Sequence, residues 1–307
     1  MEFQFAKLHG LGNDFVFIED WDARVDLSAA QVAELCDRHK GIGADGVILV
    51  RSSQRTECAA YMHYINSDGT LAQMCGNGVR CFAKFLVDRG YVDPAAGSFV
   101  ADTLSGPKPI SFTLDDRNLM AAATVDMGAP ELEAKRIPLS EDYLDDSDER
   151  EAEAPIVALE SPWGSYSFAC VSMGNPHAVC FIDSFVDIPD ALFDDAHVKT
   201  LDTLDIDRIG AYFEAHPAFP EKTNVEFVDA REDGLHMRVF ERGCGETMAC
   251  GTGACAVNVA AALTGRAGRE NDVILPGGTL HINWSDDGRV LMTGPAEQSF
   301  TGEVEIA

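Results

Sequence analysis

The chain has 307 residues, enough for two ordinary domains, and 46% of them are apolar, so a sizeable core forms and disorder is excluded. With 23 basic against 51 acidic residues the net charge is −28, which excludes nucleic acid and anionic membranes as partners because their phosphates would be repelled. Only 7 of the basic residues are Lys and 16 are Arg, a balance that fits a protein kept soluble in concentrated salt; an ordinary acidic protein is the alternative.

The opening MEFQFAKLHG has no basic region followed by an apolar stretch, so no secretory signal is expected. The uncharged run Thr247 to Gly265 is too polar and small-sided for a lipid-facing span and reads as a buried helix. Nine cysteines without an export signal imply reduced thiols in the cytoplasm, and the absence of any C-x2-C spacing argues against structural zinc, so no metal is expected.

In chain order, Gly12-Asn13-Asp14-Phe15-Val16-Phe17-Ile18 is a turn running into an apolar strand. Ser28 to His39 is a predicted helix with Ser28 as N-cap, Val32, Leu35 and Cys36 on one face, and Gly41 after it. Gly41-Ile42-Gly43-Ala44-Asp45-Gly46 fits G-x-G-x-x-G. However, a helical stretch precedes it and the strand Val47–Val50 follows, the reverse of the dinucleotide arrangement, so nucleotide binding is rejected. Cys75-Gly76-Asn77-Gly78 opens a helix with Val79, Phe82, Ala83, Leu86 and Val87 on one face, ending at Gly90.

The second half repeats these landmarks. Gly174-Asn175-Pro176-His177 leads into a strand, Asp205 to His216 reads as a helix, Leu235 to Phe240 as a strand, and Cys250-Gly251-Thr252-Gly253 opens a helix ending at Gly265. In both halves the terminal Gly lies 15 positions after the Cys, and a polar residue, Asn66 or Glu241, lies nine positions before it. The expectation is a duplication: an α/β chain of α+β type with two pseudo-symmetric lobes, each a mostly antiparallel sheet wrapped around a central apolar helix, with the active site in the cleft between them. The first lobe is expected to span 1–128, completed by a C-terminal strand at 295–307, and the second 129–294, with the seam near Met127-Gly128-Ala129-Pro130. Residues 141–153, with eight acidic side chains and one Arg, read as a solvated loop.

A cysteine at a helix start sits among outward-pointing N–H groups and the positive end of the helix dipole, which stabilise a thiolate and can hold a carboxylate. One such cysteine reads as core packing. Two in repeat-related positions point to proton exchange at the two faces of one carbon: a thiolate removes the Cα proton, a thiol delivers another from behind, and no cofactor is needed.

These motifs resemble the diaminopimelate epimerase family over essentially the whole chain. The resemblance rests on His9-Gly10-Leu11-Gly12-Asn13-Asp14-Phe15, on Met74-Cys75-Gly76-Asn77-Gly78-Val79-Arg80-Cys81 and on Ser172-Met173-Gly174-Asn175-Pro176-His177. It also rests on Glu241-Arg242-Gly243 followed by Gly245-Glu246-Thr247 and Ala249-Cys250-Gly251-Thr252-Gly253. It implies a pyridoxal-independent isomerase that interconverts LL- and meso-diaminopimelate on the route to lysine and cell-wall precursors. Cys75 and Cys250 would be the acid/base pair. Gly76, Asn77, Gly251 and Thr252 would hold the α-carboxylate, and Asn66 and Glu241 would flank the α-ammonium. Asn13, Asn175, Asn224 and Arg242, with Asn66 nearby, would grip the distal end, while His177 and Glu241 would tune the thiols. A homodimer is implied, with Phe300 the nearest match to an aromatic, often Tyr, at its interface. Gly46 stands where some relatives carry Gln, so no side-chain contact is expected there. Cys36, Cys58, Cys81, Cys170, Cys180, Cys244 and Cys255 read as packing or bystander thiols. The alternatives are a proline racemase-like enzyme, which would need no distal clamp, and a thiol redox module in which Cys75 and Cys250 form a disulfide.

Overall fold

The computed structural model describes residues 2–72, 75–144 and 154–306. The chain divides into two compact units, Met1–Asp126 with Thr293–Ala307, and Met127–Met292.

In unit 1 the strands are β1 (Glu2–Gly10), β2 (Asn13–Glu19), β3 (Gly46–Arg51), β4 (Ala60–Asn66), β5 (Ser98–Asp102), β6 (Lys108–Leu114) and β7 (Met120–Gly128). Its helices are α1 (Ala29–Cys36) and α2 (Gly76–Asp88). Unit 2 holds β8 (Ile156–Ser161), β9 (Gly164–Ser172), β10 (Pro176–Phe181), α3 (Ile206–Glu214), β11 (Asn224–Arg231) and β12 (Gly234–Glu241). It continues with β13 (Gly245–Thr247), α4 (Gly251–Leu263), β14 (Glu270–Leu275), β15 (Gly278–Trp284) and β16 (Val290–Gly294). The last strand, β17 (Glu297–Glu305), returns to unit 1.

The duplication is written in the strand pairing. In unit 1, β17–β1 and β1–β2 are antiparallel, β2–β3 parallel, β3–β4 antiparallel, β4–β5 parallel and β5–β6 antiparallel. Unit 2 repeats the sequence: β8–β9 and β9–β10 antiparallel, β10–β11 parallel, β11–β12 antiparallel, β12–β14 parallel and β14–β15 antiparallel. Each parallel pair needs a crossover. The first crossover contains the short helix, α1 or α3, and the second contains the apolar helix, α2 or α4.

The apolar helices sit where the periodicity puts them. All of α2 from Gly76 to Val87 is buried except Lys84, and α4 is buried at Gly251 and from Gly253 to Ala261. α4 packs against β9, β10, β11, β12, β14 and β15, so the sheet wraps it. Such all-round burial explains why Ala, Val, Cys and Gly dominate α4. Gly90 and Gly265 stop the two helices in the left-handed region, at φ +75° and +70°. β3 and β10 are buried along nearly their whole length, as strands covered on both faces should be, whereas β12 alternates.

Ser28 caps α1 through a capping box with Gln31, and Asp205 caps α3 by accepting from the Arg208 N–H. α1 ends at Cys36, not at His39, because the Asp37 carboxylate takes the N–H groups of His39 and Lys40 at 2.7 and 2.8 Å and closes a turn. The glycines of Gly41–Gly46 serve packing: a Cβ on Gly41 would lie 2.0 Å from the Glu34 carbonyl, at the end of α1. Residues 145–153 of the expected acidic loop, and Met74 of the quoted motif, lie outside the described residues. Among the described residues no helix is long and apolar enough to cross a membrane.

Candidate functional site

In unit 1, Leu11 and Gly12 form a two-residue turn with φ of +57° and +87° between β1 and β2, a conformation that suits a tight hairpin. The turn delivers Asn13 to the start of α2. Asn13 Nδ2 donates to Asp45 Oδ2 at 2.7 Å, while its Oδ1 accepts from Asn77 Nδ2 at 3.2 Å and from Cys75 Sγ at 3.5 Å. Asn77 Oδ1 in turn accepts at 2.8 Å from the fully buried guanidinium of Arg80, whose Nε donates to the Pro295 carbonyl at 3.2 Å. Every amide here is oriented by a neighbour. Asp14, beside Asn13, anchors the turn: Lys7 lies at 2.8 Å and Arg38 grips both oxygens at 3.0 and 2.9 Å. Burial would raise the Asp14 carboxyl, but those two cations hold it below the ordinary carboxylate range.

Cys75 is the half-buried N-cap residue of α2, with extended backbone, and Gly76 and Asn77 begin the helix. Asn66 is the last residue of β4, opposite Gly46 of β3, and its Nδ2 donates to Thr70 Oγ1 at 3.0 Å. Asn13, Asn77 and Cys75 are therefore linked directly by hydrogen bonds.

Unit 2 places its residues in the same way. Cys250, also with extended backbone, is the N-cap of α4, with Gly251 and Thr252 in the first turn. Its sulfur lies 3.5 Å from Thr252 Oγ1. Burial pushes the Cys250 thiol well above the ordinary range, and the carboxylates of Glu241 and Glu226 push it further, against the Thr252 hydroxyl and the Gly253 N–H. Glu241 ends β12 as Asn66 ends β4, and it accepts a hydrogen bond from the Thr247 hydroxyl.

Asn175 Oδ1 accepts from His177 Nε2 at 3.2 Å, which turns the amide nitrogen away from the histidine. Asn224 is buried, and its amide is committed within the fold: Nδ2 donates to the Pro176 carbonyl at 2.7 Å and Oδ1 accepts from the Arg242 N–H at 3.0 Å. It ties the Asn175 turn to the Arg242 turn. Arg242 is exposed, its guanidinium donating to the Glu221 carbonyl at 3.2 Å.

Sequence reasoning missed Glu226. This carboxyl is fully buried in β11, and its Oε1 lies 2.6 Å from His177 Nδ1. The available signal was an acidic residue inside the apolar run of Asn224-Val225-Glu226-Phe227-Val228. Among the bystander thiols, burial pushes Cys36 up to about 11, Cys180 to about 12, and Cys81 higher still, whereas Cys244 is exposed and Cys58 half-buried.

The architecture is shared with solved structures of low identity. A probable proline racemase from Agrobacterium radiobacter superposes with a TM-score of 0.66 at 15% identity, over 99% of this chain and 93% of that one. A hydroxyproline epimerase from Agrobacterium vitis gives 0.64 at 14%, over 99% and 92%, and a phenazine biosynthesis protein from Bacillus anthracis gives 0.62 at 16%, over all of both chains. These define the fold class, a duplicated α/β fold found in racemases and epimerases. Sequence comparison is more specific. The family described as diaminopimelate epimerase matches residues 5–133 and 169–298. A diaminopimelate epimerase from Leptospira biflexa is 40% identical over 100% of both chains, and one from Methanococcus maripaludis is 39% identical over 99% of this chain and 100% of that one. The chain belongs to the diaminopimelate epimerase family and is an isomerase.

Proposed function

We propose that the protein interconverts LL- and meso-diaminopimelate without a cofactor, by a two-base exchange between Cys75 and Cys250. The observation that carries the reading is the repetition of one device: in each half of a family member, a cysteine caps the buried apolar helix with its backbone extended. The first-turn N–H groups of Gly76, Asn77, Gly251 and Thr252 are donors suited to the α-carboxylate, whose negative charge grows as the Cα proton leaves.

In the proposed step a cysteine thiolate takes the Cα proton, forming S–H as the C–H bond breaks, and the electron pair delocalises into the carboxylate. The other cysteine gives its thiol proton to the opposite face and becomes the thiolate. No atoms are gained or lost, and the two sulfurs exchange protonation states. Asn66 and Glu241, at matching strand ends, would face the α-ammonium. Asn175 and Arg242 offer an amide nitrogen and a guanidinium to the distal amino-acid end, while Asn13, its amide bonded to Asp45, Asn77 and Cys75, orients the start of α2. Asn224 supports that clamp from behind. A distal clamp of this kind favours a large bifunctional substrate over proline.

The test is isotope exchange. Reduced protein incubated with LL- or meso-diaminopimelate in D2O should incorporate deuterium at Cα, with proline inert. Cys75→Ala and Cys250→Ala should each abolish epimerisation. Near-normal turnover by Cys250→Ala would refute the two-thiol scheme.

A further inference from the structure

The two halves repeat each other in backbone but not in what stands behind each cysteine. Matching Gly12-Asn13 with Gly174-Asn175 sets Phe15 against His177. The parallel registers Phe15↔Gly46 and His177↔Asn224 then match Gly46 with Asn224 and, two residues on, Ile48 with Glu226. All of Phe15, Ile48, His177 and Glu226 are fully buried.

In unit 1 the place is apolar. A Cβ on Gly78 would meet Ile48 Cδ1 at 3.5 Å and Cys75 Cβ at 3.6 Å. In unit 2 the same place holds two ionisable groups. A Cβ on Gly253 would lie 2.8 Å from Glu226 Oε1 and 3.3 Å from Cys250 Sγ, so carboxyl and sulfur converge on one point. Glu226 Oε2 is buried with no hydrogen-bond partner among the described residues. Packing does not demand this arrangement, since Phe15 and Ile48 fill the equivalent space, and a buried, half-satisfied carboxyl costs stability.

The pair is fixed by its neighbours. Asn175 offers an amide oxygen to His177 Nε2, and the 2.6 Å contact between His177 Nδ1 and Glu226 Oε1 holds the carboxyl in place. The ionisable groups facing Cys250 are Glu226 from β11, with His177 of β10 behind it, and Glu241 from β12; α4 itself contributes the Thr252 hydroxyl and the Gly253 N–H.

We propose that Glu226, held by His177 beside Cys250, is a positioning residue that favours the protonated thiol of Cys250 and so makes the two cysteines unequal. This rests on the two-thiol reading above. Ile48 stands at the position of unit 1 equivalent to Glu226, so the asymmetry is built into the duplicated fold.

Glu226→Gln tests it. The amide keeps the size and a hydrogen bond to His177 while removing the acid. Glu226→Ile, which copies Ile48, removes the acid by a different shape and carries the same expectation. The readout is iodoacetamide alkylation of each cysteine across pH, resolved by peptide mass spectrometry, with Cys75 as internal standard. Near pH 8, Cys250 should react about threefold faster or more in the variants, corresponding to at least half a pKa unit, while Cys75 is unchanged. The pH limb of kcat governed by Cys250 should move to lower pH. Unchanged Cys250 alkylation in both variants, or equal acceleration at both cysteines, overturns the proposal. Alkylation needs no turnover. Failure here with deuterium exchange intact sinks only this inference, whereas loss of exchange in the unmutated protein sinks the two-thiol reading.

Discussion

Gly78 and Gly253 occupy the same position in α2 and α4, three residues after their cysteines, yet an added methyl group meets different neighbours. At Gly253 the new Cβ would fall 2.8 Å from Glu226 Oε1 and 3.3 Å from Cys250 Sγ. The carboxyl cannot retreat easily, because it is fully buried and bonded to His177 at 2.6 Å. Overpacking of this kind costs ~1–3 kcal/mol. Replacing Gly by Ala in a helix returns roughly 0.5–1 kcal/mol. Gly253→Ala should therefore destabilise the protein by ~1–2 kcal/mol, a few degrees in melting temperature. It should also cut epimerisation sharply by displacing the Cys250 sulfur. At Gly78 the nearest atom is the Met62 methyl at 2.9 Å, the end of a flexible side chain. Gly78→Ala should therefore be neutral or slightly stabilising. Urea denaturation followed by circular dichroism, with deuterium exchange as the activity assay, compares the two variants. If Gly253→Ala matched the parent protein in both measurements, or if Gly78→Ala were the more damaging, the packing argument would be wrong.

Arg80→Met should lower stability by at least about 1–3 kcal/mol, since it removes a buried donor from Asn77 Oδ1 and from the Pro295 carbonyl, and a denaturation midpoint measures it. Asp14, with its carboxyl held low by Arg38 and Lys7, contributes stability that is present above the ordinary carboxylate pKa and is lost as pH falls through its depressed value. Asp14→Asn should therefore flatten the stability–pH curve on the acid side, and a curve parallel to the parent's would count against the assignment. The net charge of −28 predicts that the melting temperature rises from low to molar KCl as self-repulsion is screened; equal stability at both would reject the salt-adapted reading.

The repeat was legible because its landmarks are local. A Cys-Gly-x-Gly start, an apolar period and a terminal Gly are each fixed by backbone rules that show in sequence, and α2 and α4 begin and end where those rules place them. The end of α1 was not legible, because one Asp37 side chain outcompetes the helix for two N–H groups. Glu226 was missed for a different reason. Its partner His177 is 49 residues away, and only the β10–β11 register brings them together. Asn224 shows the same limit: the motif marks the residue, but its amide being committed to Pro176 and Arg242 is a tertiary fact.

The last strand has a consequence for synthesis. β17 pairs with β1 from Glu2↔Glu305 to His9↔Glu297, and the Phe300 ring meets Phe5 edge-on at 5.8 Å. Residues 293–307 leave the ribosome only after the whole of the second unit. The second unit is contiguous in sequence, whereas the first stays open, with the edge of β1 uncovered, until residues 293–307 are free. For that interval a nascent chain presents a bare strand edge, and chaperone capture or premature pairing with another chain would strike there first.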